Sequence, residues 1–305
     1  MCSVCGCGEG EVRIGSDSSH ALPHEHVHPH DHGPEHAHAP PVRAPGPMPS
    51  DAERHHYGTG PARAHAPGMA QARMVQIEQD ILSKNDAYAA ANRRWLAERG
   101  ILALNLVSGP GAGKTTLLAR TLRELSEAYP MAVIEGDQET SNDAERIRAA
   151  GARALQINTG KGCHLDAHMV GHALESLDPD PGAVLFIENV GNLVCPAAFD
   201  LGEAYRVVIL SVTEGEDKPV KYPDIFRRAD LLLVHKIDLL PHLTFDLERC
   251  LEFTRQVNPG LQALCVSSTS GEGLEDWYRW LKLTREARLV GHPALGTPSA
   301  ARDAG

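Results

Sequence analysis

Short apolar runs alternate with amphipathic stretches from about residue 100 to residue 290. Runs of this length are typical of buried strands, and seven of them predict strands at Leu102–Val107, Ala132–Glu135, Ala154–Ile157, Ala183–Ile187, Val207–Val212, Leu231–Val234 and Leu261–Val266. The stretches between them predict helices near Lys114–Ala128, Asp143–Ala150, Asp166–Leu177, Asp224–Ala229, Leu247–Val257 and Leu274–Leu289. A longer helix is predicted to precede the first strand, from about Ala72 to Arg99. This alternation indicates an α/β fold with a mainly parallel sheet flanked by helices.

The composition divides the chain near residue 69. Residues 1–68 hold 11 of the 17 histidines and only one aromatic residue, Tyr57. Such a segment buries too little apolar surface to offset the entropy lost on ordering, so we expect a disordered N-terminal tail. Residues 69–290 predict one globular domain that includes the long first helix, and residues 291–305 predict a flexible C-terminal tail.

Charge and cysteine usage exclude several classes of protein. The 305-residue chain carries a formal net charge of -11, which argues against nucleic acid or an anionic membrane surface as a partner. Its apolar runs are far shorter than the roughly 18 to 20 residues of a membrane-spanning helix, and no secretory signal is visible. Three of the seven cysteines lie within the first seven residues. This clustering favours metal binding in a reducing cytoplasm over a disulfide framework.

The segment Leu104–Thr116 has the sequence of a phosphate-binding P-loop. It places an apolar strand before a glycine-rich turn and then opens a helix with Gly-Lys-Thr. The turn directs backbone N–H groups toward phosphate oxygens, while Lys114 is expected to contact the β- and γ-phosphates and Thr115 to bind Mg²⁺. Serine stands at Ser108, where the first glycine of the motif is usual. The predicted nucleotide-binding residues here are Gly109, Gly111, Ala112, Gly113, Lys114, Thr115 and Thr116.

A second motif favours guanine as the base of the nucleotide. The strand Leu231–Val234 leads into His-Lys-Ile-Asp, which is similar to the Asn-Lys-x-Asp motif of GTPases with His235 in place of asparagine. Asp238 is expected to accept hydrogen bonds from guanine N1 and N2, and the stem of Lys236 to pack along the base. His235 has a donor with which to contact the base as asparagine does. Ser267 follows the last predicted strand, at the position of a third base-contacting loop.

Two carboxylates follow predicted strands at the positions of GTPase switch regions. Glu188 ends the strand Ala183–Ile187 and begins a Glu-Asn-Val-Gly sequence, while Asp137 follows the strand Ala132–Glu135. Phosphoryl transfer depends chiefly on positioning and on charge compensation. Either residue is therefore a candidate to hold Mg²⁺ or its waters, and Asp137 to orient the attacking water. The alternative is that both are solvated loop residues.

Cysteines and histidines in the N-terminal tail predict metal binding. Cys2, Cys5 and Cys7 bring three thiolates within six residues, a donor set that suits Ni²⁺ or Zn²⁺. Between residues 20 and 65 the histidines mostly alternate with other residues, which indicates storage of several metal ions with weakly defined sites. Redox-active thiols and a solubilising tail are the alternatives.

Three further candidate ligands lie in the globular domain: Cys163, His164 and Cys195. They follow two of the predicted strands and so belong to the nucleotide side of the sheet. From the residues alone, metal ligation and burial of small apolar cysteines are equally good interpretations.

Taken together, these motifs resemble the HypB family, GTPases of the SIMIBI class of P-loop proteins that help insert nickel into [NiFe]-hydrogenase. The resemblance covers nearly the whole chain. It rests on the N-terminal cysteine motif, the histidine-rich segment, residues 108–116, residues 135–140, Cys163-His164, residues 188–191 with Cys195, and residues 215–223.

Membership in this family implies a homodimer promoted by GTP and metal, with a tight N-terminal nickel site. It also implies a metal site at the dimer interface on Cys163, His164 and Cys195. The partners implied are a HypA-type nickel chaperone, the hydrogenase large subunit and, in some bacteria, a SlyD-type isomerase. The expected cofactors and cargo are GTP, Mg²⁺, Ni²⁺ and Zn²⁺. A nickel buffer with a vestigial nucleotide site, and a GTPase that serves urease, are the alternative functions.

Overall fold

The computed structural model describes residues 68–137, 142–160 and 162–293, together with the backbone of residues 13–14. The cysteine motif at Cys2, Cys5 and Cys7, the histidines between residues 20 and 65, and residues 294–305 lie outside this part of the chain. Residues 13–14 form a short strand inside the segment predicted to be disordered, and the other predictions made for the two tails stay predictions.

Eight strands of the described residues form one sheet in the order β1-β4-β3-β5-β2-β6-β7-β8. Their bounds are β1 Arg13–Ile14, β2 Leu102–Ser108, β3 Met131–Asp137, β4 Arg153–Asn158, β5 Val184–Glu188, β6 Tyr205–Ser211, β7 Leu231–His235 and β8 Gln262–Val266. Strands β2 to β8 are all parallel to one another, and β1 pairs antiparallel with β4. The predicted α/β class with a mainly parallel sheet is confirmed.

Helices connect successive strands and cover both faces of the sheet. Their bounds are α1 Gln71–Glu98, α2 Lys114–Leu125, α3 Asn142–Ala149, α4 Ala167–Leu177, α5 Lys218–Lys221, α6 Pro223–Arg227, α7 Leu247–Val257 and α8 Leu274–Leu289. Short 3₁₀ turns lie at Cys195–Ala197 and Ile237–His242. The sequence pattern missed these turns and α5, since elements of three to six residues span too little chain to show a helical period.

The central strands are buried because helices cover them on both sides. Against one face, α2 and α8 contribute Leu118, Leu122 and Trp277 to a core that also holds Leu104 and Phe186. Against the other face, α1 and α4 contribute Leu96, Val170 and Leu174, which pack with Ile101 and Leu185. Strands buried on both faces have continuous apolar sequences, which explains why their positions are predictable.

Buried polar side chains of α1 fix the loops that lead to the functional residues. The Asn92 side-chain amide donates to the carbonyl oxygens of Ala167 at 2.7 Å and Leu201 at 3.0 Å. Asn85 accepts from the Ala167 N–H at 2.9 Å and donates to the Asp200 carbonyl at 2.7 Å. Helix α1 therefore holds the start of α4 and the residues after Cys195 in a fixed relationship.

Within the described part of the chain, no helix has the length and apolarity required to cross a bilayer.

Candidate functional site

The candidate residues gather at the carboxyl ends of the parallel strands. In open α/β sheets this edge is where loops from several strands converge to form a binding crevice. A cavity of about 400 Å³ opens there, and its lining residues include Pro110, Gly111, Gly113, Lys114, Thr115, Thr116, Glu135, Asp137, Arg146, Glu188, Asn189 and Lys236.

The glycine-rich turn between β2 and α2 has the backbone conformation that its sequence predicts. Gly111 and Gly113 have φ angles of 72° and 99°, in the left-handed region. A Cβ at Gly113 would also lie 2.7 Å from the ring of His235, so a larger residue would collide there. The Lys114 ammonium donates to the Ser108 hydroxyl at 2.8 Å. Ser108, the departure from the usual motif, therefore holds the ammonium of a lysine that lines the cavity.

Threonine and acidic residues line the side of the cavity next to the P-loop. The Thr115 hydroxyl donates to Glu188 Oε1 at 2.7 Å. Glu135 lies beside Glu188 in the register of β3 and β5, and Asp137 follows two residues later on the same face. Oxygen donors of this kind suit Mg²⁺. The structure thus brings together the predicted Thr115, Asp137 and Glu188, and adds the buried Glu135, 2% exposed.

Of the predicted base-binding residues, Lys236 lines the cavity, and Asp238 follows it two residues later. Lys236 has a left-handed φ of 62°, and its ammonium donates to the Gly111 carbonyl at 2.8 Å. The Ser267 hydroxyl donates to Asp238 Oδ1 at 2.5 Å. The backbone N–H groups of Thr269 and Ser270 in turn donate to Ser267, at 3.2 and 3.0 Å. The β8 loop therefore holds the Asp238 carboxylate in place.

The His235 side chain connects two loops. Its Nδ1 donates to the Ala112 carbonyl at 2.8 Å, and its Nε2 lies 2.7 Å from the Ser268 hydroxyl. Because a carbonyl can only accept, Nδ1 carries the proton and Nε2 accepts from Ser268. Burial lowers the pKa of His235, which keeps the ring neutral. Both ring nitrogens therefore have protein partners, and a contact of His235 with the base stays a prediction.

Cys163, His164 and Cys195 converge into one cluster. Their sulfur and nitrogen ligand atoms all lie within 4.8 Å of one another, and Cys163 Sγ is 3.6 Å from His164 Nδ1. The His164 ring packs on Phe199 with centroids 4.1 Å apart. Burial lowers the pKa of His164, which favours the neutral imidazole that metals require. Two thiols and an imidazole form a donor set for Ni²⁺ or Zn²⁺.

The other cysteines of the domain have a different environment. Burial raises the pKa of Cys250 to about 12 and also raises the pKa of Cys265. A thiol with a raised pKa is a poor metal ligand, because metals bind the thiolate. Cys250 is buried in the apolar core beside β7, and Cys265 of β8 is half-buried and packs against that core.

An amide links the acidic side of the cavity to the Cys/His cluster. Asn189 Oδ1 accepts from the backbone N–H of Leu165 at 3.1 Å. Asn189 is adjacent to Glu188 in the chain, and Leu165 is adjacent to His164. Asn192 adds a second contact, since its amide donates to the Cys163 carbonyl at 3.2 Å. The segment of residues 188–195, called the linking segment below, therefore contacts both sites.

Three residues at this edge were not predicted from the sequence. Glu135 was predictable, because it lies two residues before Asp137 and residues two apart on a strand share a face. Arg146 lines the cavity from α3 and donates to Thr116 at 3.4 Å, but nothing in its helix distinguishes it from other exposed arginines. Asn189 makes its contacts only in three dimensions, so no sequence spacing could have revealed its role.

Comparison with known proteins decides the family. Residues 103–264 match the CobW/HypB/UreG nucleotide-binding domain. The chain is also 59% identical over 289 residues to the hydrogenase maturation factor HypB of Azotobacter chroococcum mcd 1, an alignment that covers 95% of this chain and 94% of that relative. The chain belongs to the HypB family.

Solved HypB structures share the fold of the GTPase domain. HypB from Archaeoglobus fulgidus is 41% identical, with a TM-score of 0.63 over 67% of this chain and 99% of its own. HypB from Helicobacter pylori, solved in complex with nickel, is 35% identical, with a TM-score of 0.63 over 70% of this chain and all of its own. This HypB-family GTPase thus has the family's nucleotide-binding domain, preceded by a cysteine- and histidine-rich segment.

Proposed function

We propose that this HypB-family GTPase uses GTP binding and hydrolysis to control a nickel ion held by Cys163, His164 and Cys195, and so delivers nickel during [NiFe]-hydrogenase maturation. The linking segment carries the proposal. At one end, Glu188 accepts the 2.7 Å hydrogen bond from Thr115, a residue of the P-loop. At the other end, Cys195 supplies a thiol to the Cys/His cluster. Glu188, which contacts the P-loop, is therefore only seven residues from the metal ligand Cys195.

The nucleotide chemistry follows from the residues that line the cavity and from the Asp238 carboxylate beyond Lys236. Lys114 and the backbone N–H groups of the P-loop would bind the phosphates, while Thr115 and Glu188 would hold Mg²⁺ directly or through its waters. When bound, Mg²⁺ neutralises charge that develops on the phosphoryl oxygens. Asp137 would orient the attacking water. Asp238, held by Ser267, would select GTP over ATP because adenine lacks the two adjacent N–H donors of guanine.

The metal chemistry follows from the donor set of the cluster. Two thiolates and a neutral imidazole bind Ni²⁺ or Zn²⁺ well, but three ligands leave coordination positions open. A second copy of the chain can complete the site, which is the basis for proposing a homodimer promoted by GTP and metal. Thiols must stay reduced to bind an ion, so a cytoplasmic location belongs to the proposal.

The tails and partners complete the proposal. Cys2, Cys5 and Cys7 would form a tight nickel site, and the histidines between residues 20 and 65 would store further ions. A HypA-type nickel chaperone and the hydrogenase large subunit are the proposed partners, with a SlyD-type isomerase as a further metal source.

The test separates nucleotide chemistry from metal delivery in cells that lack the native gene. Lys114→Ala should lower GTP turnover by about 10²-fold or more, because it removes a charge that stabilises the transition state. Cys163→Ser with Cys195→Ser should keep GTP turnover but lose hydrogenase activity, and excess nickel in the medium should restore that activity. Cys265→Ser is the matched control, since it removes a thiol outside the cluster.

Other outcomes would support the alternative functions. Normal hydrogenase activity in the Lys114→Ala strain would contradict nucleotide control and favour a nickel buffer. Loss of urease activity, with hydrogenase unaffected, would favour service to urease. Normal hydrogenase activity at low nickel in the double cysteine variant would contradict a role of the cluster in delivery.

A further inference from the structure

A buried ion pair lies at the start of β6. Arg206 Nε and Nη2 donate to Glu203 Oε1 at 3.2 and 2.9 Å, and the two residues are 5% and 9% exposed. Neither residue lines the nucleotide cavity or contributes a ligand atom to the Cys/His cluster. Because taking two charges out of water is costly, a buried pair depends on further hydrogen bonds from its surroundings. Those bonds show what the pair holds in place.

Arg206 holds the turn that carries Cys195. Its Nη1 donates to the Ala197 carbonyl at 3.1 Å, and its Nη2 donates to the Phe199 carbonyl at 2.7 Å. Cys195 and Ala197 are the first and last residues of one 3₁₀ turn. The Phe199 ring in turn packs on His164, with centroids 4.1 Å apart. One guanidinium therefore supports the backbone beside one metal ligand and the ring beside another.

Glu203 orients the guanidinium and is itself held by two further donors. Its Oε2 accepts from the backbone N–H of Leu201 at 2.7 Å, and its Oε1 also accepts from the Asn105 amide at 3.1 Å. Asn105 lies in β2 and is fully buried. The side-chain oxygen of Asn105 accepts from the Asn189 amide at 3.3 Å. The ion pair is therefore bonded to a central strand of the sheet.

These bonds form one buried chain between the two loops that carry the metal ligands. At one end, Asn189 accepts from the Leu165 N–H, in the loop of the first two ligands. At the other end, Arg206 holds the turn that begins at Cys195. Metal–ligand distances tolerate deviations of only about ±0.2 Å, so the separation of the two loops decides whether the ligands can bind one ion. Loss of a group that orients a ligand typically lowers metal affinity by about 10- to 100-fold.

We propose that Glu203 and Arg206 are positioning residues for the Cys/His cluster. Arg206 sets the position of Cys195 relative to His164, Glu203 orients Arg206, and neither binds the ion. The inference rests on the proposed function in one respect, which is that the cluster binds nickel. If the pair served folding alone, the nickel affinity of the folded chain would not depend on it.

The experiment measures nickel binding to the full-length chain in which the three N-terminal cysteines are replaced by alanine. Nickel–thiolate charge-transfer absorption at buffered free nickel gives the affinity, and the band position reports the ligand geometry. The same chain with Cys163→Ser and Cys195→Ser gives the background from other thiols. Arg206→Lys keeps a charge beside Glu203, but one ammonium cannot replace the planar fork that reaches a carboxylate and two carbonyls. We expect its nickel affinity to fall by about 10- to 100-fold, with a shifted band.

A second variant keeps the test decisive if Arg206→Lys destabilises the domain. Glu203→Leu with Arg206→Met removes both charges together, and such a replacement of a buried pair is often neutral or stabilising because no charge is left unpaired. Urea unfolding measures the stability of each variant. The double variant should fold and show a similar loss of nickel affinity, because the donors to the two carbonyls are gone.

Arg153→Lys is the matched control for both variants. The Arg153 guanidinium also donates to two carbonyls, those of Leu177 and Asp178, but it lies at the amino end of β4, away from the cluster. Its loss should leave the nickel affinity unchanged. Parental affinity and band position in either folded Arg206 variant would overturn the proposal and assign the pair to folding alone. A parent chain without a nickel–thiolate band above the background would instead contradict nickel binding by the cluster, and with it the proposed function.

Discussion

The side-chain oxygen of Asn189 accepts a hydrogen bond from the backbone N–H of Leu165 at 3.1 Å. Asn189 directly follows Glu188, which ends β5 and contacts the P-loop threonine, so this bond joins the end of β5 to the loop that carries His164. Asn189 is 1% exposed, so water cannot readily replace the lost partner if the loops separate. A movement of Glu188 on hydrolysis is therefore expected to shift the loop that carries His164. Switch segments of GTPases rearrange when the γ-phosphate is lost.

Replacing Asn189 should weaken the coupling between the two sites. In Asn189→Ala, we expect GTP binding to persist, while the ratio of metal affinities in the GTP and GDP states moves toward one. Isothermal titration of nickel in the two nucleotide states measures this ratio. Asn258→Ala is a matched control, because its amide donates to the carbonyls of Phe226 and Ala229, outside both sites. An unchanged ratio in Asn189→Ala would show that the bond does not transmit the signal.

Asp238 should determine the base. Asp238→Asn replaces two acceptor oxygens with an acceptor and a donor, so it should weaken GTP binding and improve binding of xanthosine triphosphate, whose second carbonyl needs a donor. Competition binding with GTP, ATP and xanthosine triphosphate measures the change. Ser267→Ala should weaken GTP binding without changing the base preference, since it removes only the hydrogen bond that positions the carboxylate. Equal binding of ATP and GTP by the parent chain would contradict guanine selection.

His235 should make the stability of the domain fall in acid. Its pKa is lowered by burial, so the unfolded chain takes up a proton at a higher pH than the folded chain does. Stability is then fully present above the ordinary histidine pKa of about 6.5 and decreases as the pH falls toward the folded-state pKa. Urea unfolding at about pH 7.5 and at about pH 5.5 measures this loss.

The control for His235 is His235→Asn, which keeps a donor for the Ala112 carbonyl but has no titrating ring. The pKa of His164 is also lowered by burial, and it is the same in both proteins, so the difference between them isolates His235. We expect a smaller acid-induced loss in the variant. Identical losses would mean that His235 does not contribute to the pH dependence.

The N-terminal cysteines should provide the tightest nickel site, according to the sequence. Cys2→Ala or Cys5→Ala is expected to remove the tight phase of a nickel titration and to leave weaker binding of several ions. Deletion of residues 20–65 should have the opposite effect, because it removes the imidazoles and keeps the thiolates. A tight phase that survives in both cysteine variants would place the site elsewhere.

Much of the fold was predictable because parallel strands buried on both faces have continuous apolar sequences. All seven parallel strands were predicted, and α7 and α8 have the predicted bounds, since apolar runs and helical periods are local properties of the chain. The P-loop was predictable for the same reason, as its glycines, lysine and threonine are contiguous. The placement of Glu188 beside Thr115 also follows from the rule that parallel strands end at one edge.

The remaining features depend on contacts between distant segments. His235 lies 123 residues from Ala112 in the chain, and its two hydrogen bonds appear only when β7 is placed beside the P-loop. Asn85 and Asn92 occupied polar positions of a helix with a weak apolar face, so their buried bonds to the loops near α4 were not predictable. Whether Cys163 and Cys195 approach each other was likewise undecided, because each follows a different strand.

The most direct test of nucleotide control is the nickel affinity of the Cys/His cluster in two nucleotide states. The full-length chain with Cys2→Ala, Cys5→Ala and Cys7→Ala retains the thiols of Cys163 and Cys195 in the Cys/His cluster, while Cys250 and Cys265 pack in the apolar cluster beside β7. Nickel–thiolate charge-transfer absorption then reports the cluster and is silent for tail histidines. With free nickel and Mg²⁺ buffered alike, GDP and a non-hydrolysable GTP analogue should give affinities that differ by about 5-fold or more. Equal affinities would contradict coupling and leave two independent sites on one chain.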